Sequence, residues 1–139
     1  AKDCFQTLDI DSNENVVYMS TCYIIILSYD SELNFKQSFF IPDQTSHYSL
    51  NREINCFKLS YDKKLIAIGL KGLNAAITVW ELNSKLQISH TEIENCRTIQ
   101  FLNFDKNRKN LVGIGLQENY ITMVFIYNIF ESRITHSYL

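Results

Sequence analysis

Apolar and polar residues alternate with a period of two in several short runs of this chain, and polar turns separate the runs. The clearest example is the segment 54–82, in which three such runs follow one another. They comprise residues 55–60, 65–70 and 76–82. The polar tetrapeptide 61–64 divides the first two runs, and Gly72 and Asn74, which can adopt the positive φ of a tight turn, divide the last two. This pattern predicts a three-stranded antiparallel meander.

The same alternation predicts strands through most of the remaining chain. Only Thr21 and Cys22 separate two of these strands, which predicts a tight hairpin, and Pro42 ends another strand by removing a backbone donor. The polar segment 43–53 is predicted to be a loop, and no window has a helical period. The further strands are predicted at residues 1–11, 16–20, 23–29, 35–41, 86–90, 97–104, 111–116, 120–129 and 134–139. The predicted fold class is therefore all-β.

Parts of the meander recur later in the chain. Residues 79–82 match residues 126–129, which places Trp80 and Tyr127 at equivalent positions. The other matched pairs are residues 57–63 with 101–107, and residues 68–70 with 114–116. Successive copies are offset by roughly 45–50 residues, close to the period of four-stranded propeller blades. The repeat predicts blade-like units at about residues 1–41, 42–90 and 91–139.

Short motifs within these copies resemble the WD40 family of β-propellers. Trp80-Glu81 stands where that family has a Trp-Asp dipeptide, and residues 60–63 stand where it often has Ser-Pro-Asp-Gly. His47 and His90 occupy the place of its Gly-His histidine, each preceded by a serine in place of the glycine. Asn74 stands in a turn where the family usually has aspartate. The resemblance implies about three four-stranded antiparallel blades.

Three blades do not close a propeller ring, so we expect the chain to be part of a longer protein or to be completed by partner chains. The order of the apolar runs 23–27, 39–42 and 54–68 is most similar to the WD-repeat proteins of motile cilia and flagella. In those proteins, propellers are docking platforms of microtubule-bound assemblies. The resemblance implies a non-enzymatic scaffold of the axoneme, in the cytoplasm and cytoskeleton, with dynein-associated proteins or tubulin as partners.

Composition narrows the classes of partner and compartment. A net charge of −2 and a pI near 5.9 give no electrostatic case for nucleic acid or an anionic membrane. The longest apolar run, residues 22–27, is too short to span a bilayer. The four cysteines are widely spaced without a metal-binding pattern, and Cys56 and Cys96 are expected to be buried thiols. No metal or cofactor is expected, and a reducing intracellular compartment is favoured.

The sequence contains no set of residues that would serve catalysis. Gly113-Ile114-Gly115 follows a strand, but a further strand comes next where a phosphate-binding site would need a helix N-terminus. His47, His90 and His136 have no acidic or cysteine partner at a fixed spacing, which favours a structural role in blade corners. We therefore expect no enzymatic activity.

The residues predicted to matter are structural blade residues and partner contacts. Trp80 and Tyr127 are expected to be core anchors that pack between neighbouring blades, because large rings dominate such contacts. Gly69, Gly115, His47 and His90 complete the structural set. The candidate partner contacts are Phe35, Phe39, Phe40, Tyr120 and Phe125. Two alternatives stay open at this point: a small closed β-barrel that carries an apolar ligand, and a scaffold of a non-ciliary cytoplasmic complex.

Overall fold

Strands and turns make up the described part of the chain, which comprises residues 5–11, 16–21, 26–40 and 53–138 of a computed structural model. Because this part has no helix, it contains none that could cross a membrane. The strands are β1 Phe5–Asp11, β2 Val16–Thr21, β3 Ile26–Asp30, β4 Phe35–Phe40, β5 Glu53–Leu59, β6 Leu65–Lys71, β7 Ala75–Glu81, β8 Gln87–Ile93, β9 Cys96–Phe104, β10 Asn110–Gln117, β11 Thr122–Asn128 and β12 Arg133–Tyr138. The all-β prediction is confirmed.

The strands form three separate antiparallel sheets, each a meander of four strands that pair in sequence order. The first sheet holds β1 to β4, the second holds β5 to β8, and the third holds β9 to β12. A closed barrel requires the first and last strands to pair, but β1 and β12 lie at the edges of different sheets. The alternative prediction of a small closed barrel is therefore wrong for the described part of the chain.

Several predicted boundaries need correction. Ser20 pairs with Ile26, so the predicted hairpin with only two residues between β2 and β3 is wrong. Strand β8 continues to Ile93, past the predicted end of this strand at residue 90, because its ladder with β7 extends to the pair of Ala75 and Ile93. The predictions that rest on Pro42 and most of the loop at residues 43–53 lie outside the described residues.

Non-glycine residues supply the positive φ angles of the turns. Gly72 and Asn74 were expected to adopt positive φ, but no described glycine does, and neither does Asn74. Among the residues with positive φ are Lys63 (φ 62°) in the turn that follows β5 and Arg108 (φ 57°) in the turn that follows β9. Asp105 stabilises the second of these turns, because its Oδ1 accepts hydrogen bonds from the backbone amides of residues 109 and 110 at 3.0 and 3.2 Å.

The core lies between the sheets, and the second sheet is buried on both faces. On one face, Ile66, Ile68 and Trp80 pack against Val16 and Tyr18 of the first sheet. Buried on both sides, β6 and β7 are almost continuously apolar, unlike strands with one face in water. Each fully buried large aliphatic or aromatic side chain contributes about 1.5–3 kcal/mol relative to an exposed one.

The opposite face of the second sheet packs against the third sheet. Ala67, Ile77 and Val79 are fully buried there, against Phe125 and Tyr127. The bulky rings of the third sheet thus fill the space above the smaller side chains of the second sheet.

The turn geometry corrects the alignment of the copies. The amide of Ser60 bonds the carbonyl of Leu65 at 2.9 Å, and the amide of Asp105 bonds the carbonyl of Asn110 at 3.0 Å, so Ser60 corresponds to Asp105. The matches of 57–63 with 101–107 and of 68–70 with 114–116 are each wrong by one residue. Strands β5 and β9 carry a bulge at the same place, since Cys56 and Ile54 pair with Gly69 and Leu70 as Phe101 and Ile99 pair with Ile114 and Gly115. Phe101 therefore corresponds to Cys56, and the match of residue types had aligned it with Phe57.

Candidate protein-interaction surfaces

The predicted anchor residues both lie between sheets. Trp80 is fully buried in the cluster that joins the first two sheets, and Tyr127 is fully buried in the cluster that joins the last two. The two positions are equivalent, because Trp80 pairs with Ile66 and Tyr127 pairs with Leu111 at the same place in each ladder. Each ring therefore packs on the preceding sheet, as an anchor between blades would.

A small polar network holds the Tyr127 ring against the second sheet. Its hydroxyl lies 2.7 Å from the Ser89 hydroxyl and donates to Thr91 Oγ1 at 3.1 Å. Ser89 also lies 2.8 Å from the Ser132 hydroxyl, which belongs to the turn before β12. Buried hydroxyls need such partners, so the network fixes the register of one sheet on the next.

The two predicted glycines differ in how closely the neighbouring sheet approaches them. A Cβ added to Gly69 would lie 2.7 Å from Cys56 Sγ and 2.7 Å from Ile99 Cβ, and Ile99 belongs to the third sheet. At Gly115 the nearest atom would be Cys96 Sγ at 3.0 Å. Gly69 therefore sits at a close contact between sheets, whereas Gly115 lies in a looser environment within its own sheet.

The predicted histidines and cysteines form no reactive group among the described residues. His90 lies half-buried in β8, His136 is exposed in β12, and His47 lies outside the described residues. Within the described ranges no three His, Cys, Asp or Glu side chains are grouped to hold a metal ion. Cys56 and Cys96 are buried free thiols, as predicted, and burial raises the pKa of Cys56 to about 12.

Three adjacent turns form one end of the second and third sheets, which we call the loop end, and two of them carry exposed apolar side chains. It consists of the turns at residues 72–74, 94–95 and 118–121. The amide of Gly72 bonds the carbonyl of Arg97 at 3.4 Å, and the amide of Glu118 bonds the carbonyl of Asn95 at 2.9 Å. These bonds tie the three turns together, so the end is one continuous surface rather than three independent loops.

Tyr120 is the most prominent aromatic residue of the loop end. It is 71% exposed, and the Arg97 guanidinium lies 5.1 Å from the centre of its ring. Arg97 Nη1 also donates to the Tyr120 hydroxyl at 2.6 Å. Leu73 is 92% exposed, and Ile121 is exposed as well. An exposed aromatic ring positioned by arginine, with exposed aliphatic side chains on the linked turns, has the composition typical of binding surfaces in proteins.

Among the other candidate contacts, Phe35 is exposed on the edge strand β4, where its ring lies edge-on to Tyr29 at 5.7 Å. Phe39 and Phe40 belong to the same strand, but their side chains lie outside the described part. The prediction for Phe125 is wrong, because this side chain is fully buried against the second sheet. Its strand β11 lies inside the third sheet and is not an outer strand.

The opposite end of the sheets is rich in charge. Asp62 and Arg108 form an ion pair that joins the turn after β5 to the turn after β9. Partial burial works against ionisation of Asp62, but the Ser60 hydroxyl, the Lys64 amide and the Arg108 guanidinium outweigh it and lower its pKa. The pair is exposed, so we assign it an orienting role rather than a large contribution to stability.

Sequence reasoning missed the outer face of the third sheet, which carries apolar side chains in contact with water. Phe101, Val112 and Val124 are 46%, 42% and 43% exposed on this face, and Ile114 and Ile126 are half-buried. The available signal was the apolar residues on both faces of β10 and β11. An antiparallel strand with one face in water alternates, so a strand that is apolar on both faces indicates two covered faces.

Comparison with solved structures shows the fold of WD40 propeller blades. No protein-family model matches the chain, and no curated protein matches it in sequence. The chain is similar to the structure of U3-55K, with a TM-score of 0.71, 15% sequence identity and a match that covers 100% of this chain. It is also similar to the crystal structure of the RRP9 WD40 repeats, with a TM-score of 0.64, 16% sequence identity and a match that covers 99% of this chain. A third similar structure comes from the mitotic checkpoint complex (0.62, 14%, 98% of this chain).

These similarities establish the architecture and its extent. The chain spans 40%, 39% and 39% of the lengths of these three proteins, in the order given. Its three sheets thus have the fold of consecutive WD40 blades, which confirms the predicted architecture. At 14–16% identity the likeness concerns the fold alone.

Proposed function

We propose that this chain is a segment of a larger WD40-type propeller that acts as a non-enzymatic scaffold for protein–protein interaction. The observation that supports a binding role is the loop end, where the exposed Tyr120 ring, Leu73 and Ile121 lie together on linked turns. Arg97 holds the Tyr120 ring in place, so a partner would meet a largely pre-formed surface. Phe35 on the edge strand β4 is a second proposed contact.

The proposed setting is a microtubule-associated assembly of motile cilia or flagella, in the cytoplasm and cytoskeleton. This part of the proposal rests on the sequence resemblance to axonemal WD-repeat proteins. One of the similar solved structures is that of the mitotic checkpoint complex, which is a different assembly. A scaffold of a non-ciliary complex is therefore the outcome that the experiment must distinguish.

The test is chemical crosslinking in native cell extract, followed by mass spectrometry, with three forms of the protein. We expect the unchanged protein to form crosslinks to tubulin or dynein-associated proteins. The double variant Tyr120→Ala, Leu73→Ser should reduce the yield of those crosslinks about tenfold or more, because loss of an interface aromatic residue weakens binding by about that much. Tyr61→Ala is the matched control, because Tyr61 is 93% exposed in the turn after β5, at the other end of the sheets.

Two results would contradict the proposal in different ways. Equal crosslinking by the unchanged protein and the double variant would exclude the loop end as the contact surface. Reproducible links to a protein assembly without tubulin or axonemal components would retain the scaffold and reject the ciliary setting.

A further inference from the structure

Positive charge is concentrated at the end of the second and third sheets that lies opposite the loop end. The four turns there comprise residues 60–65, 81–86, 105–110 and 128–133, and they hold seven of the thirteen lysine and arginine residues of the chain. They hold only four of the fifteen aspartate and glutamate residues. These turns therefore carry a net charge of plus three, whereas the rest of the chain has five more acidic than basic residues.

Hydrogen bonds and an ion pair join these four turns into one surface, which we call the basic end. In the second sheet the amide of Leu82 bonds the carbonyl of Lys64 at 2.9 Å. In the third sheet the amide of Ile129 bonds the carbonyl of Lys109 at 3.0 Å. The ion pair described above joins the two sheets, because it connects the turn after β5 with the turn after β9.

Three of the four carboxylates of the basic end are already bound within the turns. Asp62 accepts hydrogen bonds from the Ser60 hydroxyl at 2.7 Å and from the backbone amide of residue 64 at 3.1 Å. Asp105 accepts hydrogen bonds from two backbone amides, and Glu131 lies 3.4 Å from Arg133. Four exposed lysines of this end form no ion pair with another described residue, namely Lys64, Lys85, Lys106 and Lys109.

Three of the four turns have a basic residue where glycine would be unstrained. Lys63, Lys85 and Arg108 have φ values of 62°, 60° and 57°, in the left-handed region that favours glycine. The fourth turn has Ser132 in this conformation, and Arg133 follows it. Because turn formation alone would favour glycine, a long cationic side chain in the strained position of three separate turns points to a role for its charge.

Two exposed apolar side chains accompany the charges. Leu86 is 62% exposed and directly follows Lys85, and Phe130 is 71% exposed in the turn before β12. Cations beside exposed apolar groups are complementary to a segment that combines carboxylates with apolar side chains. Lysine acts as a point charge on a flexible stem, so it suits carboxylates whose positions are not rigidly fixed.

We propose that the basic end binds a short, extended acidic segment of a protein partner, in which apolar residues are interspersed among aspartate and glutamate. Nucleic acid fits this surface less well, because its backbone is charged along its whole length. A strand that extends past the basic end would meet the rest of the chain, where acidic residues are in excess. The basic end is separate from the loop end, and this proposal does not depend on the ciliary setting.

Fluorescence anisotropy of a labelled peptide tests this proposal with the intact protein. The probe is a peptide of Glu-Glu-Phe repeats, and its control is the same peptide with glutamine in place of glutamate. We expect only the glutamate peptide to bind, and its Kd to rise with salt, because the Debye length falls to about 8 Å at physiological ionic strength. A quadruple variant should raise the Kd about tenfold or more, since each exposed ion pair contributes modestly; it combines Lys64→Gln, Lys85→Gln, Lys106→Gln and Lys109→Gln.

Two controls separate charge at this surface from structural damage and from net charge. Arginine at the same four positions keeps the charge and should keep the Kd within about twofold. Lys71→Gln removes one positive charge at the far end of β6, and Lys109→Gln removes one from the basic end. Of these two single variants, only Lys109→Gln should raise the Kd, by about two- to threefold. This pair decides the question if the quadruple glutamine variant does not fold, as circular dichroism would show.

Several results would overturn the proposal. An unchanged Kd in the folded quadruple glutamine variant, equal effects of Lys71→Gln and Lys109→Gln, or equal binding of the glutamine peptide would exclude recognition of carboxylates at the basic end. Tighter binding of single-stranded polyuridine RNA than of the acidic peptide would assign the surface to nucleic acid instead.

This proposal and the proposed function can fail separately. Failure of peptide binding, with crosslinks that depend on the loop end, would retain the scaffold and reject the basic end as a docking surface. Specific peptide binding, with crosslinks that the loop-end variant leaves unchanged, would retain the basic end and reject the loop end as the contact surface.

Discussion

Replacing Gly69 with alanine should destabilise the contact between the second and third sheets. The new Cβ would lie 2.7 Å from Cys56 Sγ and 2.7 and 2.8 Å from two atoms of Ile99, all closer than normal carbon contacts. Relief requires a shift of the β6 and β9 backbones, since Ile99 Cβ is fixed to the main chain. Inserting a methyl group into a well-packed core costs about 1–3 kcal/mol.

A smaller effect of opposite sign accompanies this cost. Gly69 has no positive φ, so alanine suits its backbone and reduces the entropy of the unfolded chain, which stabilises by about 0.4–1 kcal/mol. The balance favours the steric effect, and we expect Gly69→Ala to lose about 2 kcal/mol of unfolding free energy. For a chain of 139 residues, this corresponds to a fall in Tm of about 7 °C.

The matched control is Gly115→Ala, which adds the same methyl group to the neighbouring sheet. Its nearest contact would be Cys96 Sγ at 3.0 Å, the end of a side chain that can rotate, so we expect a change within about 0.5 kcal/mol. Equilibrium unfolding in urea measures both variants, with the fluorescence of Trp80, the single tryptophan, as the probe. Equal midpoints for the two variants would refute the close contact at Gly69.

Two further predictions concern titratable groups. Partial burial opposes ionisation of Asp105, but hydrogen bonds from Asn110, Lys109 and Arg108 outweigh the burial and lower the pKa of the carboxyl group. The ionised Asp105 therefore stabilises the folded chain at pH values above its ordinary pKa of 3.8. This stabilisation is lost as the pH falls through the lower pKa of the folded state. Asp105→Asn should therefore reduce the difference in urea midpoint between pH 7 and pH 3, and an unchanged difference would contradict the assignment. Cys56, with a pKa of about 12, should resist alkylation at pH 8 in the folded chain and should react when urea unfolds the chain. Peptide mass spectrometry measures the alkylated fraction in each state. Equal labelling in both states would be inconsistent with burial of the thiol.

The architecture could be predicted because the pattern of strands and turns is clear in the middle of the chain. The turns at residues 61–64 and 71–74 separate three runs with clear strand character, and β5, β6 and β7 fall within one or two residues of the prediction. The equivalence of Trp80 and Tyr127 was correct because both lie at the same place in undistorted ladders. The match of residues 57–63 with 101–107 was wrong because it aligned the two identical residues Phe57 and Phe101, which lie one position apart in the two ladders.

The binding surfaces were harder to predict, because they depend on which face of a strand is covered. Phe125 and Val124 are adjacent on β11 and both apolar, yet Phe125 is fully buried and Val124 is 43% exposed. Alternation cannot separate two apolar faces; only the position of the neighbouring sheet does. Tyr120 is exposed, as its predicted role in a partner contact requires, but its contact with Arg97 joins residues 23 positions apart and depends on the folded turns.

The positive φ angles at Lys63 and Arg108 have a consequence for how this chain can evolve. Glycine is the usual residue for this conformation, and a residue with a Cβ adopts it at a cost of about 1–2 kcal/mol, which the hydrogen bonds of Asp62 and Asp105 help to offset. A turn held by aspartate in this way can mutate at its glycine position without losing its shape. Sequence identity then falls while the backbone persists, and each such turn gains a long basic side chain at its tip. The shape of these two turns therefore depends on their aspartates and not on a glycine.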